Sequence, residues 1–226
     1  MTDFTNKILG HNISEDRKIS IAVMSSFVIL IIQYSILYYF NLANTPIGRN
    51  IQILSKGIVG IFYLIALPTV LKRNKTKFIG IYITAFLIFL FNSLLFKDNL
   101  IYLKSLIFPF FFTCLPSFIY AYSIDDWNEL KEVMLKTSNI VFIIGFIIGI
   151  MVFFGQMHIG SYSMSLSYYM LLPTVVYINE ITEKKSLKSG LVILVSLFII
   201  LALGSRGAIM CIGVFVILKF IGILKG

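Results

Sequence analysis

A chain of 226 residues in which 58% are apolar and only 13% charged, with a mean hydropathy of +0.94, is excluded from the ordinary water-soluble domains. Several stretches approach or exceed the ~20 apolar residues that a helix needs to cross a bilayer, so the composition predicts an all-α, polytopic integral membrane helical bundle. The net charge of +9 does not point to nucleic acid, because the basic residues are spread over short loops and membrane orientation accounts for them.

The first eighteen residues are polar and mixed in charge, and residues 1–18 are expected to form a cytoplasmic N-terminal segment. The apolar run after them is too long for a signal-peptide core and no small-residue cleavage site follows, so it reads as a retained anchor. About eight transmembrane helices are expected within one domain, 19–226, at 19–41, 51–71, 78–96, 100–122, 139–155, 162–179, 189–203 and 207–224. Pro68, Pro109, Pro116 and Pro173 interrupt four of them. Such interruptions are tolerated where freed carbonyls face protein or a water-filled cavity.

Residues 123–138 form the one long inner connection. Ser123 is expected to cap a short helix there, with Asp125 and Asp126 in its first turn. Ile124, Trp127, Leu130 and Met134 recur on one side of it, which suits a helix lying at the inner interface. Gly145 and Gly149 make a small-xxx-small pair that predicts close packing of the fifth span. Cys114 and Cys211 both fall in apolar runs and read as buried free thiols, with neither the partners nor the spacing for a metal or a disulfide framework.

Loop charges set an orientation. With the N-terminus inside, the inner segments hold Lys7, Arg17, Lys18, Lys72, Arg73, Lys75, Lys77, Lys131, Lys136, Lys184, Lys185, Lys188, Lys219 and Lys225. The outer side keeps Arg49, Lys56, Lys97, Lys104 and Arg206, as the positive-inside bias requires. Asp98 is the one acidic residue on that outer face, and no acidic residue falls in the middle of a span. Ion-coupled transporters usually carry such a carboxylate, so that class is disfavoured. The outer excess of cations favours an anionic ligand.

Arg206 is the most informative of these charges. It stands in Gly204-Ser205-Arg206-Gly207-Ala208 between two apolar runs, where a charge so close to hydrocarbon is costly. Ser189 to Arg206 spans about 26 Å of helix at ~1.5 Å per residue, which puts Arg206 near the outer boundary. Gly204 permits a turn and Ser205 suits the N-cap of the next helix. Free amides of a first helical turn together with a guanidinium suit phosphate or pyrophosphate. The bland alternative is an arginine that snorkels to mark the membrane edge.

The Ser205-Arg206-Gly207 signature, following one apolar span and opening another, resembles that of the O-antigen ligase-like superfamily, which includes Wzy-type O-antigen and capsular polysaccharide polymerases. The resemblance covers the part of the chain up to the signature helix. It implies a multi-pass protein of the bacterial plasma membrane that uses undecaprenyl-pyrophosphate-linked oligosaccharides on the outer face, beside other polysaccharide-assembly membrane proteins. It further implies that Arg206 is the catalytic contact to the donor pyrophosphate, with Ser205 and Gly207 in the binding corner. Family members usually continue into a large outer loop, often bearing a functional histidine, and further helices. This chain stops at Gly226, so a C-terminally truncated or shorter form is expected.

Arg49, after Pro46 and Gly48, could supply a second cation to the substrate, Lys104 could join a basic pocket, and His158 could act as a base. Each has a plainer reading, respectively as a solvated loop charge, a snorkelling lysine and an inert loop histidine. Tyr162, Tyr168 and Tyr169 could stack on sugars, or form an aromatic belt. No metal site and no cofactor is expected. The leading reading is a polymerase or ligase; the alternatives are a lipid-linked glycan transporter or flippase subunit, and an inactive truncated membrane fragment.

Overall fold

The computed structural model describes residues 14–157, 164–184 and 186–225, among which there is no strand. The helices are α1 Glu15–Tyr39, α2 Pro46–Leu95, α3 Leu100–Pro109, α4 Leu115–Tyr122, α5 Trp127–Phe153, α6 Met164–Lys184, α7 Leu187–Ala202 and α8 Arg206–Lys225. A 3₁₀ turn, Lys97–Asn99, precedes α3, and a π turn, Phe110–Cys114, joins α3 to α4.

Among the described residues, α1, α2 and α5 are long and apolar enough to cross a membrane, and the bent pair Lys97–Ile107 and Phe110–Tyr122 makes a fourth span if taken as one. The helical bundle agrees with the sequence, but the count of about eight spans does not. Residues 51–71 and 78–96 were expected as two spans. They fall on either side of a break in α2, whose fifty residues are two helices that meet at a kink where Asn74 leaves helical geometry (φ −133°, ψ 34°). Between the two apolar runs stand Lys, Arg, Asn and Thr, with no glycine or proline to stop a helix. The sixteen residues of α7 cover about 24 Å at ~1.5 Å per residue, less than the ~30 Å of a hydrocarbon core.

Local chemistry sets the helix ends. The Ser14 hydroxyl accepts the Arg17 N–H at 3.1 Å, capping α1, and Glu15 and Asp16 occupy its first turn, where the helix dipole favours them. Thr45 caps α2 by accepting the Gly48 N–H at 3.1 Å, with Pro46 at the first helical position, where its missing N–H costs nothing. Asp126 caps α5 through the Asn128 N–H at 2.9 Å. This corrects the expectation for residues 123–138. Ser123 ends α4, donating its hydroxyl to the Ile119 carbonyl at 2.8 Å, and Trp127 opens a 27-residue helix that continues into the fifth span. No separate interfacial helix forms, because nothing between Trp127 and Phe153 breaks the helical run.

The chain divides into two compact units, residues 1–23 with 59–131 and residues 24–58 with 132–226. In the first, Pro116 has no N–H to give to the Phe111 carbonyl five residues back, the partner a π turn would require. The Tyr82 hydroxyl donates to that carbonyl instead, at 2.9 Å. Tyr63 and Ser117 hydroxyls share a 2.7 Å hydrogen bond, and the Tyr120 hydroxyl donates to the Tyr63 carbonyl at 2.7 Å. These bonds tie α2 to α4 through groups that would be costly unpaired in hydrocarbon.

In the second unit α6 packs against α7 and α8. Ile31, Val141, Ile148, Leu166, Met170, Ile199, Ile200 and Ala208 are buried in its core. Both glycines of the small-xxx-small pair permit close approach. A β-carbon on Gly145 would overlap Met170 Sδ, and one on Gly149 would sit 3.2 Å from the Ile199 side chain. The cysteine expectation is corrected: Cys114 and Cys211 are free but exposed.

Candidate functional site

The Ser-Arg-Gly corner lies in the second unit, between α7 and α8. Leu203 continues α7 by donating to the Ile199 carbonyl at 3.1 Å, Gly204 donates to Leu201 at 3.0 Å and Ser205 donates to Ile200 at 3.5 Å. That pair of bonds is a Schellman ending, and it needs a left-handed residue, which Gly204 supplies at φ +67°. Ser205 then serves the next helix. Its carbonyl accepts the Ile209 N–H at 3.4 Å, so Arg206, Gly207 and Ala208 form the first turn of α8, whose amides have no carbonyl within the helix to meet.

The Ser205 side chain does not cap that turn. It is 1% exposed, and its hydroxyl has no hydrogen-bond partner among the described residues. Native proteins rarely leave a buried hydroxyl so, since the loss costs about 1–3 kcal/mol. Arg206 is exposed, as expected for a charge at the end of an apolar run, and no hydrogen bond or ion pair occupies its guanidinium among the described residues. Gly207 has a specific reason to lack a side chain: a β-carbon there would overlap the Tyr168 hydroxyl and lie 3.2 Å from the ring carbon that bears it. Tyr168, on α6 and 43% exposed, therefore presses its hydroxyl onto the first turn of α8. Sequence reasoning put Tyr168 in an aromatic belt or on a sugar; its pairing with Gly207 had no local signal.

The remaining candidates are placed differently. Arg49 is exposed in the first turn of α2, its N–H donating to the Thr45 carbonyl at 3.0 Å; the Arg206 corner's hydrogen bonds do not include it. Lys104 lies in the first unit on α3, where with Ser93, Tyr82 and Phe112 it lines a cavity of about 550 Å³. His158 and Tyr162 fall outside the described residues. Tyr169 is partly buried in the second unit's core, its ring 6.0 Å from that of Tyr34. No group of three or more His, Cys, Asp or Glu side chains suited to a metal occurs among the described residues.

A polar cluster that the sequence presented as loop charge stands in the first unit. Arg73, beside the Asn74 kink, donates to Asp16 at 2.6 and 3.2 Å, to Glu15 at 3.3 Å and to the Ser123 carbonyl at 3.1 Å. Asp125 adds an ion pair at 3.2 Å, and its N–H donates to Asp16 at 2.9 Å. Asp16 precedes the apolar run of α1. The Arg73 hydrogen bond, followed by that of the Asp125 N–H, holds its carboxyl below the ordinary carboxylate range against the opposing pull of burial. The signal available in sequence was the pairing of acidic residues at 15–16 and 125–126 with the basic run at 72–77.

Comparison with protein-family models, with curated proteins and with solved structures found no match to this chain. Three of the described helices, or four with the bent pair taken as one, are long and apolar enough for association with a membrane.

Proposed function

We propose that the protein is a multi-pass polysaccharide polymerase or ligase that uses lipid-pyrophosphate-linked glycans, with Arg206 on the donor pyrophosphate. The observation that carries this reading is the combination at one corner of an unpaired guanidinium, a turn of free helical amides and a buried Ser205 hydroxyl with no partner. A guanidinium fork and helix N-terminal amides suit a phosphate oxygen pair. Arg206 closes an apolar run, so this pairing takes place at the membrane edge, where competition from water is reduced.

The donor needs no nucleotide-driven activation, because it already carries its leaving group. An acceptor hydroxyl oxygen bonds to the anomeric carbon as the bond from that carbon to the pyrophosphate oxygen breaks. The electron pair leaves on the pyrophosphate, and the proton of the acceptor hydroxyl passes to water at the membrane edge. Negative charge grows on the leaving oxygen, and Arg206 stabilises it in a site already arranged to do so. The loop charges support an inward N-terminus, while a bacterial plasma membrane and an outward corner are what the resemblance of the Ser-Arg-Gly signature implies.

Two experiments test the proposal. Cysteines at Asn74 and Lys185 are expected to resist an impermeant thiol reagent in intact cells while one at Asn44 reacts; the inverse pattern contradicts the outward corner. Purified protein given an undecaprenyl-pyrophosphate oligosaccharide and an acceptor is expected to lengthen the glycan in a manner abolished by Arg206→Ala. Movement of the donor across liposomes with no glycosidic product would instead identify a transporter.

A further inference from the structure

Within the first unit the second half of α2 faces the bent pair α3–α4 across an apolar groove of about 650 Å³. Its walls include Ile81, Ala85, Ile88, Phe89, Phe110 and Phe118, and Lys77 is the one charged residue that lines it. The π turn shapes this groove. It places Phe110 in this wall while the adjacent Phe111 lines the neighbouring cavity with Lys104, and Phe89 serves both. Phe89 and Phe110 stack with ring centroids 5.2 Å apart, which closes the deep end.

Lys77 stands at the other end. Its ammonium donates to the Tyr122 hydroxyl at 2.9 Å and lies 4.6 Å from the centre of that ring. Arg73 is matched by three carboxylates, whereas the side chain bonded to Lys77 is neutral. Two of the three ammonium donors therefore remain for an anion. The twelve residue steps from Lys77 to Phe89 cover about 18 Å of helix, close to the ~15 Å that is half a hydrocarbon core. A groove one leaflet deep, apolar along its length and cationic at its polar mouth, has the shape and charge of one phospholipid.

We infer that this groove binds an anionic phospholipid, with one acyl chain laid along Ala85, Phe89 and Phe110 and the headgroup phosphate on Lys77. Phosphatidylglycerol is the matching probe and phosphatidylcholine the comparison, since both offer the same chains and only the first carries net negative charge. The inference is independent of Arg206, which lies in the other unit.

The test measures lipid retained by the purified full chain from vesicles of equal phosphatidylglycerol and phosphatidylcholine, read by native mass spectrometry. Wild type is expected to retain phosphatidylglycerol preferentially. Lys77→Gln is expected to reduce that preference about fivefold, the effect of one basic residue at a membrane surface, while Lys77→Arg keeps it. Gly80→Phe fills the groove without a backbone clash, because a β-carbon on Gly80 meets nothing within 4 Å. It is expected to lower retention of both lipids, with helix content by circular dichroism unchanged. Undiminished preference in Lys77→Gln, or undiminished retention in a folded Gly80→Phe protein, would overturn the inference.

Discussion

Replacing Gly207 by alanine puts a β-carbon into space that the Tyr168 hydroxyl already occupies, with the ring carbon behind it at 3.2 Å, inside the ordinary 3.5–4.0 Å contact between carbons. Tyr168 is 43% exposed, so its ring can swing away. The displacement costs about 0.5–1.5 kcal/mol if the side chain is held off its rotamer. Against this, alanine is favoured over glycine in a helix by about 0.8–1.0 kcal/mol. The net change in stability is therefore small, within about 1 kcal/mol, but the two residues are coupled. In mixed detergent–SDS unfolding, Tyr168→Phe removes the overlapping oxygen and is expected to make Gly207→Ala more favourable by at least ~0.5 kcal/mol than in the wild-type background. Additive effects within about 0.3 kcal/mol would refute the contact, and with it the reason offered for glycine at this position.

Gly145→Ala is expected to destabilise the protein by roughly 1–3 kcal/mol, because Met170 is fully buried and the added carbon overpacks it. Gly213→Ala, whose β-carbon meets nothing, gains up to about 1 kcal/mol of helix propensity; the same unfolding assay compares the two. Ser205→Ala removes a buried hydroxyl without a partner, so the unliganded protein is expected to become more stable by about 1 kcal/mol while pyrophosphate binding weakens. For Asp16 the folded pKa lies below the ordinary 3.8, so its stabilisation is complete above that value and is lost as pH falls through the lower folded value. Wild type is accordingly expected to exceed Asp16→Asn in thermal stability at pH 7, with the gap closing below about pH 3.8.

Apolar periodicity and composition made the helical membrane class legible, since hydrocarbon leaves little choice other than helices for so apolar a chain. Gly204 likewise announced a helix-to-helix corner, because left-handed backbone is a local property, whereas the Ser205 hydroxyl does not make the cap that its position suggested. Span boundaries were less legible. Polar residues 72–77 look like a loop from their charge, yet only Asn74 leaves helical geometry where the two halves of α2 meet, since solvation and helicity are compatible. The Arg73 cluster, the overlap of Tyr168 with Gly207 and the Tyr82 bond that serves the Phe111 carbonyl are all long-range. Each depends on which helices become neighbours, which no local pattern in this chain encodes.

The central claim is that Arg206 holds a pyrophosphate, and equilibrium binding of an undecaprenyl-pyrophosphate oligosaccharide to the purified chain tests it most directly. Loss of a charge-assisted bidentate pair, worth about 1.5–3 kcal/mol, predicts roughly 10- to 150-fold weaker binding for Arg206→Ala. Arg206→Lys is expected to fall between, because lysine keeps the charge and loses the fork. Equal affinity of wild type and Arg206→Ala would contradict the account.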